Sequence, residues 1–233
     1  MDDMMQNGCR TEKKYLISLA AAAILRERLL PFMRLDSQTV DGAYHIRSLY
    51  FDTPDAGAFW EKVDGWGERC KYRLRFYNGD TSFIRLERKE KLGEMTRKTM
   101  ATMEQLPARA MQMGEYDPLV GVEDPLCRAF YAEAKANRLM PAVVVDYRRE
   151  PFTFRLDNVR ITIDSQIRAG DPLSFFLKLP PPFPVLENGV AILEVKTDDR
   201  LPAMIGRVLE SVPRQQQSYS KFALSYARLH GIE

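Results

Sequence analysis

The chain has 233 residues, 45% hydrophobic and 28% charged, with 34 Lys and Arg against 32 Asp and Glu and a net charge of +2. That supplies apolar material for one large domain or two small ones, and lacks the basic excess usual in nucleic-acid binders. Three scattered cysteines (Cys9, Cys70, Cys127) and two histidines (His45, His230) exclude a disulfide framework, a cysteine–zinc site and a histidine metal centre.

The first strand signal is C-R-T-E-K-K-Y at 9–15, which sets Arg10, Glu12 and Lys14 on one face. The run L-I-S-L-A-A-A-A-I-L at 16–25 is shorter than the ~18–20 apolar residues of a membrane span and follows an acidic, polar stretch. It is neither a span nor a signal peptide, so cytoplasmic residence is expected. Ser18 is instead the N-cap of an alanine-leucine helix ending near Pro31. A strand follows at 43–53, and Thr53-Pro54-Asp55 opens a helix to about Val63.

Residues 69–77 read R-C-K-Y-R-L-R-F-Y, with Arg69, Lys71, Arg73 and Arg75 alternating with Cys70, Tyr72, Leu74 and Phe76. A strand gives this segment one cationic and one apolar face, whereas a helix would scatter both sets. After an N-G-D turn, 82–90 aligns Arg85, Glu87 and Lys89, and beyond Gly93 a further strand places Thr96 and Lys98 on one side. Asp124-Pro125 opens a helix, 142–152 is a strand with Tyr147 and Arg149 on one face, and 152–164 reads as a hairpin about Asp157-Asn158. L-P-P-P-F-P at 179–184 is a rigid loop. The run 190–197 alternates Glu194 and Lys196 with Leu193 and Val195, and amphipathic helices follow around 201–209 and 218–229. With about eight strands, short turns and no interdomain linker, a single domain over 1–233 is expected.

Antiparallel strands of this kind can close into a barrel, and the expectation is one whose charged faces line the interior and whose apolar faces meet outer helices. The alternative is an open sheet with its charges in water. Arg10, Lys14, Arg69, Lys71, Arg73, Arg75, Arg85, Lys89, Lys98, Arg149 and Lys196 oppose only Glu12, Glu87 and Glu194. A solvated face mixes signs, whereas a converging cationic surface with few carboxylates suits a polyphosphate and a divalent metal.

In order, R-T-E-K-K-Y, S-L-Y-F-D-T, R-C-K-Y-R-L-R-F-Y, L-E-R-K, Y-R-R-E-P-F, R-I-T-I-D, L-E-V-K and S-K-F span about residues 10–226. The series resembles the vacuolar transporter chaperone (VTC) domain of the triphosphate tunnel metalloenzyme superfamily. The resemblance implies an α+β fold, a closed eight-stranded antiparallel β-barrel with helices outside. It also implies ATP-dependent polyphosphate synthesis with Mn²⁺ or Mg²⁺. Nucleoside triphosphate and inorganic polyphosphate are the implied partners, with no nucleic acid. Catalytic roles carry to Arg73, Arg75, Arg149 and Lys221, and phosphate binding to Arg10, Lys14, Lys71, Lys89, Lys98 and Lys196. Glu194 is the implied metal ligand, with Glu12 and Glu87 beside it. The eukaryotic relatives carry an inositol-phosphate-sensing N-terminal domain and C-terminal membrane helices, neither of which is expected here, and S-K-F stands for the more usual S-K-Y. The residues by themselves leave salt-bridge roles open for Arg73, Arg75 and Glu194, and a turn role for Asp164. A tripolyphosphatase or nucleoside triphosphatase, and a non-catalytic polyphosphate binder, stay as alternative functions.

Overall fold

A computed structural model describes residues 11–93, 95–155, 157–198 and 200–232. In chain order the elements are β1 (Thr11–Ser18), α1 (Leu19–Leu29), β2 (Arg34–Leu35), β3 (Tyr44–Asp52), α2 (Gly57–Val63), β4 (Glu68–Tyr77), β5 (Asp80–Leu92) and β6 (Met95–Met103). They continue with α3 (Gln105–Gln112), α4 (Pro125–Asn137), β7 (Met140–Phe154), β8 (Val159–Gly170), β9 (Phe183–Pro184), β10 (Val190–Thr197), α5 (Ala203–Glu210), β11 (Gln215–Gln216) and α6 (Lys221–His230).

The closed eight-stranded barrel expected from the sequence is not what forms. The described strands make one 11-stranded sheet in the order β11-β1-β10-β8-β7-β3-β4-β5-β6, with β2 on β7 and β9 on β8. Closure requires the two end strands to pair over a matched length and stagger. Here one end is the two-residue β11, which takes the outer edge of β1 at Tyr15 and Leu16. Among the described residues the other end, β6, pairs only with β5.

The chain gathers into two compact units. The first holds the described residues up to Tyr44, with Arg149–Ser165 and Glu187–Tyr219. Its core sets Ala21, Ala22, Leu25 and Leu29 of α1 against Ile161, Ile163, Leu193 and Val195 of the sheet. The Ser18 hydroxyl accepts from the Ala21 N–H at 3.0 Å, the expected cap. Arg26 donates to the buried Glu150 carboxylate, with Nη2–Oε1 at 2.8 Å, tying the last turn of α1 to β7.

The second unit holds His45–Arg148, Gln166–Leu186 and the described residues from Ser220 onward. Tyr72, Leu74 and Phe76 of β4 lie in its core with Phe51, Leu86 and Phe130. Phe130 of α4 meets Phe51 and Tyr72 edge-on at 5.0 and 5.1 Å. The apolar half of β4 is therefore buried, and strand alternation sends Lys71, Arg73 and Arg75 to the opposite face. The start of α2 differs in detail from the expected Thr53-Pro54-Asp55 cap. Asp52 accepts from the N–H groups of Thr53, Ala58 and Phe59, and the helix begins at Gly57, after Ala56 at φ +59°.

Candidate functional site

In the second unit, strand register decides which charges meet. Lys71 on β4 lies opposite Lys89 on β5, and Lys89 opposite Lys98 on β6. Directly opposed like charges destabilise a sheet, so three lysines abreast form a face suited to an anion. The next row pairs Arg73 with Glu87, and the row beyond pairs Arg75 with Arg85.

Glu87 is the hub of this face, 1% exposed. Its carboxylate accepts from Arg73 Nε at 2.7 Å and from Lys98 Nζ at 2.8 Å, with Arg75 Nη1 at 3.9 Å. Burial pushes the Glu87 carboxyl up, but Arg73, Arg75 and Lys98 outweigh it and hold it well below the usual carboxylate range. Arg73 Nη1 donates to the Tyr50 hydroxyl at 2.7 Å, and Arg75 Nε donates to Ser48 Oγ at 2.9 Å. Both arginines are thus fixed by neutral and anionic partners on adjacent strands. The Lys221 ammonium lies over the Tyr147 ring at 5.1 Å, and Lys71 lies over Phe222 at 4.2 Å. The phenylalanine of S-K-F thus gives an apolar face to a cation. Burial, followed by the charges of Arg69 and Lys62, pushes Lys71 down to about 7, with Asp52 and Glu61 opposing.

The first unit carries a second charged cluster. Lys14 on β1 lies opposite Glu194 on β10, and Glu12 opposite Lys196. Lys14 Nζ is 3.1 Å from Glu12 and 3.8 Å from Glu194, and Lys196 Nζ is 3.7 and 3.9 Å from the same carboxylates. Arg149 donates to Asp164 through two bonds of 2.6 Å and reaches Glu194 at 3.3 Å. Thr162, opposite Glu194 on β8, is buried, and its hydroxyl has no hydrogen-bond partner among the described residues.

Of the residues proposed from sequence, Arg73, Arg75, Glu87 and Lys98 meet in one cluster, with Lys71 and Lys89 in the adjoining row. Glu12, Lys14, Arg149, Glu194 and Lys196 meet in the other. Arg10 lies outside the described residues. Tyr50 is a partner of Arg73 that the sequence did not single out, and Asp164, for which a turn role was left open, is the partner of Arg149. Only the alternation of Asp164 with Thr162 could have placed it on the charged face. Among the described residues no three His, Cys, Asp or Glu side chains stand together as a cage for a metal. Glu12 and Glu194 fit a hard cation that completes its shell with phosphate and water oxygens. Glu87 fits that role less well, because its oxygens take hydrogen bonds of 2.7 and 2.8 Å from Arg73 and Lys98, whereas the cations described beside Glu12 and Glu194 stand at 3.1–3.9 Å.

Among curated proteins none matches this sequence. Among solved structures the chain is similar to a provisionally assigned adenylate cyclase of Vibrio parahaemolyticus, at 12% identity and TM-score 0.51, covering 94% of this chain and 99% of that one. It is also similar to one of Bacillus halodurans, at 11% identity and TM-score 0.50, covering 86% and 85%. At these identities the likeness concerns the fold alone. The profile of the VTC domain matches residues 9–230. A match over nearly the whole sequence shows that the chain belongs to the VTC domain family, and membership points to phosphotransferase-type chemistry on triphosphates.

Proposed function

We propose that this protein is an ATP-dependent polyphosphate polymerase. The observation that carries the reading is the row Lys71, Lys89, Lys98 beside Arg73 and Arg75, where register opposes like charges on a face that an extended anion would neutralise. In the reaction a terminal oxygen of the polyphosphate attacks the γ-phosphorus of the nucleotide. The bond to the β-phosphate oxygen breaks, and nucleoside diphosphate leaves. The attacking oxygen is already ionised, so no general base is needed and catalysis is positioning and charge neutralisation. Arg73 and Arg75 hold the γ-phosphoryl oxygens through forked donors, while Glu87 and Tyr50 fix their orientation. Lys71, Lys89, Lys98 and Lys221 neutralise phosphate along the same unit. In the first unit, Arg149, Lys14 and Lys196 bind phosphate, with Asp164 holding the guanidinium. A divalent cation, Mn²⁺ or Mg²⁺, held by Glu194 and Glu12 together with phosphate oxygens, would supply further charge neutralisation.

The test is incubation of the purified chain with ATP and Mn²⁺, resolving polymer on a gel while measuring free phosphate and diphosphate. A ladder of long anionic product with matching nucleoside diphosphate is expected. Free phosphate without polymer would assign a hydrolase, and binding without turnover would assign a polyphosphate-binding module.

Lys71 adds a pH dependence. Its ordinary value is 10.5 and it is pushed down to about 7 in the fold, so above neutrality the folded protein holds it uncharged. A phosphate ligand favours the ammonium, so binding takes up a proton there and affinity falls as pH rises above about 7. By the same linkage, the unfolded chain binds the extra proton between about 7 and 10.5, so this group makes stability rise with pH across that window. Triphosphate titrations by calorimetry at pH 6.5 to 9 should show the fall, and Lys71→Met should flatten it; an unchanged slope in that variant would remove Lys71 from the binding face.

A further inference from the structure

One corner of the second unit sets a lysine against aromatic rings with no polar partner. There α2 packs on both β4 and α6. Phe59 of α2 meets Tyr226 of α6 with ring centroids 4.8 Å apart, and Tyr226 is 6.0 Å from Phe222. Lys71 Nζ lies over the Phe222 ring at 4.2 Å. Among the described residues this nitrogen has neither a hydrogen bond nor an ion pair. Lys98, in the same row, donates to Glu87 at 2.8 Å. Lys71 is half-buried, so water makes up for the missing partner only in part.

The charges around it are mostly of its own sign. Lys89 is its cross-strand neighbour, and Arg69 of β4 and Lys62 of α2 both act on it. Two carboxylates oppose them, Asp52 of β3 and Glu61 of α2. Asp52 is already taken up by the N–H groups of Thr53, Ala58 and Phe59, which leaves it a weak counter-ion. Burial, with these cations, pushes the amine down to about 7, so just above neutrality much of it carries a free electron pair. An uncharged lysine among cations is a nucleophile.

We propose that Lys71 is a carbamate-forming residue, at which CO₂ converts a phosphate-binding cation into an anion. The amine electron pair attacks the carbon of CO₂ and a nitrogen–carbon bond forms. One carbon–oxygen π pair moves onto oxygen, and the nitrogen releases a proton to solvent. Nothing is oxidised or reduced, and no leaving group is needed. CO₂ suits this corner because it is small, linear and uncharged. It reaches an amine lying against Phe222, where a bulky acyl donor would have to displace the ring. The product suits the corner as well. A carbamate carries its negative charge beside Lys62, Arg69 and Lys89, so the repulsion that burdens the ammonium becomes attraction. The effect on phosphate rests on the polymerase reading above; the adduct itself does not. With the carbamate in place, the row Lys71, Lys89, Lys98 loses one cation and gains one anion, so triphosphate affinity falls.

The experiment equilibrates the full chain with ¹³CO₂ and bicarbonate at one pH just above neutrality and constant ionic strength. Trapping with triethyloxonium, which alkylates a carbamate to a stable ester, is followed by peptide mass spectrometry, and should place the adduct on Lys71 without any variant. In ¹³C NMR a carbamate carbonyl resonance is expected; Lys71→Met should remove it while any signal from the terminal amine stays. Lys62→Ala with Arg69→Ala keeps Lys71 but strips cations beside it, and should lower the adduct several-fold. Calorimetric titration with tripolyphosphate should show affinity reduced several-fold by CO₂ in the wild-type chain and unaffected in Lys71→Met, with chloride at the same ionic strength as control. No trapped adduct on Lys71 overturns the proposal. An adduct undiminished in the Lys62 and Arg69 double variant overturns the role of the cations, and one that leaves tripolyphosphate affinity unchanged overturns the switch. A chain that traps CO₂ on Lys71 yet binds no tripolyphosphate in its absence overturns the polymerase reading and leaves the adduct standing.

Discussion

Arg73→Ala is expected to lower kcat by about 10²–10³-fold, the effect of removing one donor aimed at transition-state charge. The double variant with Arg75→Ala should fall below detection. The structure gives a reason to expect a folded protein in both single variants. With Arg73 gone, Glu87 keeps Lys98 at 2.8 Å and Arg75 at 3.9 Å, so its buried carboxylate is not stranded. Arg73→Lys retains the charge but loses the fork that binds Glu87 and Tyr50 together, so it should sit between wild type and alanine. Polymer formation from ATP, with circular dichroism as the fold control, checks the series. If Arg73→Ala turned over within about threefold of wild type, a far smaller change than donor loss produces, the arginine would be only a cross-strand partner of Glu87.

Asp164→Ala should produce the largest loss of stability. Asp164 is fully buried and takes both hydrogen bonds of the Arg149 fork. Removing it takes two 2.6 Å hydrogen bonds from a largely buried guanidinium, which still reaches Glu194 at 3.3 Å. Breaking a buried pair from one side costs about 3–5 kcal/mol, which for a chain of this size lowers Tm by roughly 10 °C. Asp164→Asn keeps the shape and one acceptor and should lose about half as much. Thermal melts followed by circular dichroism decide it. A Tm within about 2 °C of wild type would mean that Arg149 finds another partner easily.

These expectations show where sequence was informative. β10 occupies residues 190–197 as the alternation requires, and β4 begins one residue before the expected 69–77. Local chemistry placed α1 and α4, since Ser18 and Asp124 accept the N–H bonds that start those helices. No element was expected over 105–112, where α3 begins after Glu104 without a side-chain cap and carries Pro107 in its first turn. The two-residue strands β2, β9 and β11 are too short for any period to register. Asp164 was hidden because β8 continues through polar residues to Gly170, past Gln166 at φ +54°, where alternation lapses. Periodicity specifies which face a residue takes, and so recovered the cationic faces. It carries no information on whether the last strand meets the first, and the expected closed barrel failed on that point.

The checkerboard of Glu12, Lys14, Glu194 and Lys196 behaves like an ion-exchange resin supplied in its counter-ion form. On the function proposed above, an arriving oligophosphate would swap places with resident carboxylates, which would have to find a new cation or take up a metal as they let go. Occupancy at this spot thus reports a trade between two saturated arrangements. A lysine-to-glutamine change there would loosen the incoming anion and the built-in one together, muting the net shift in affinity relative to the same change on a one-signed surface.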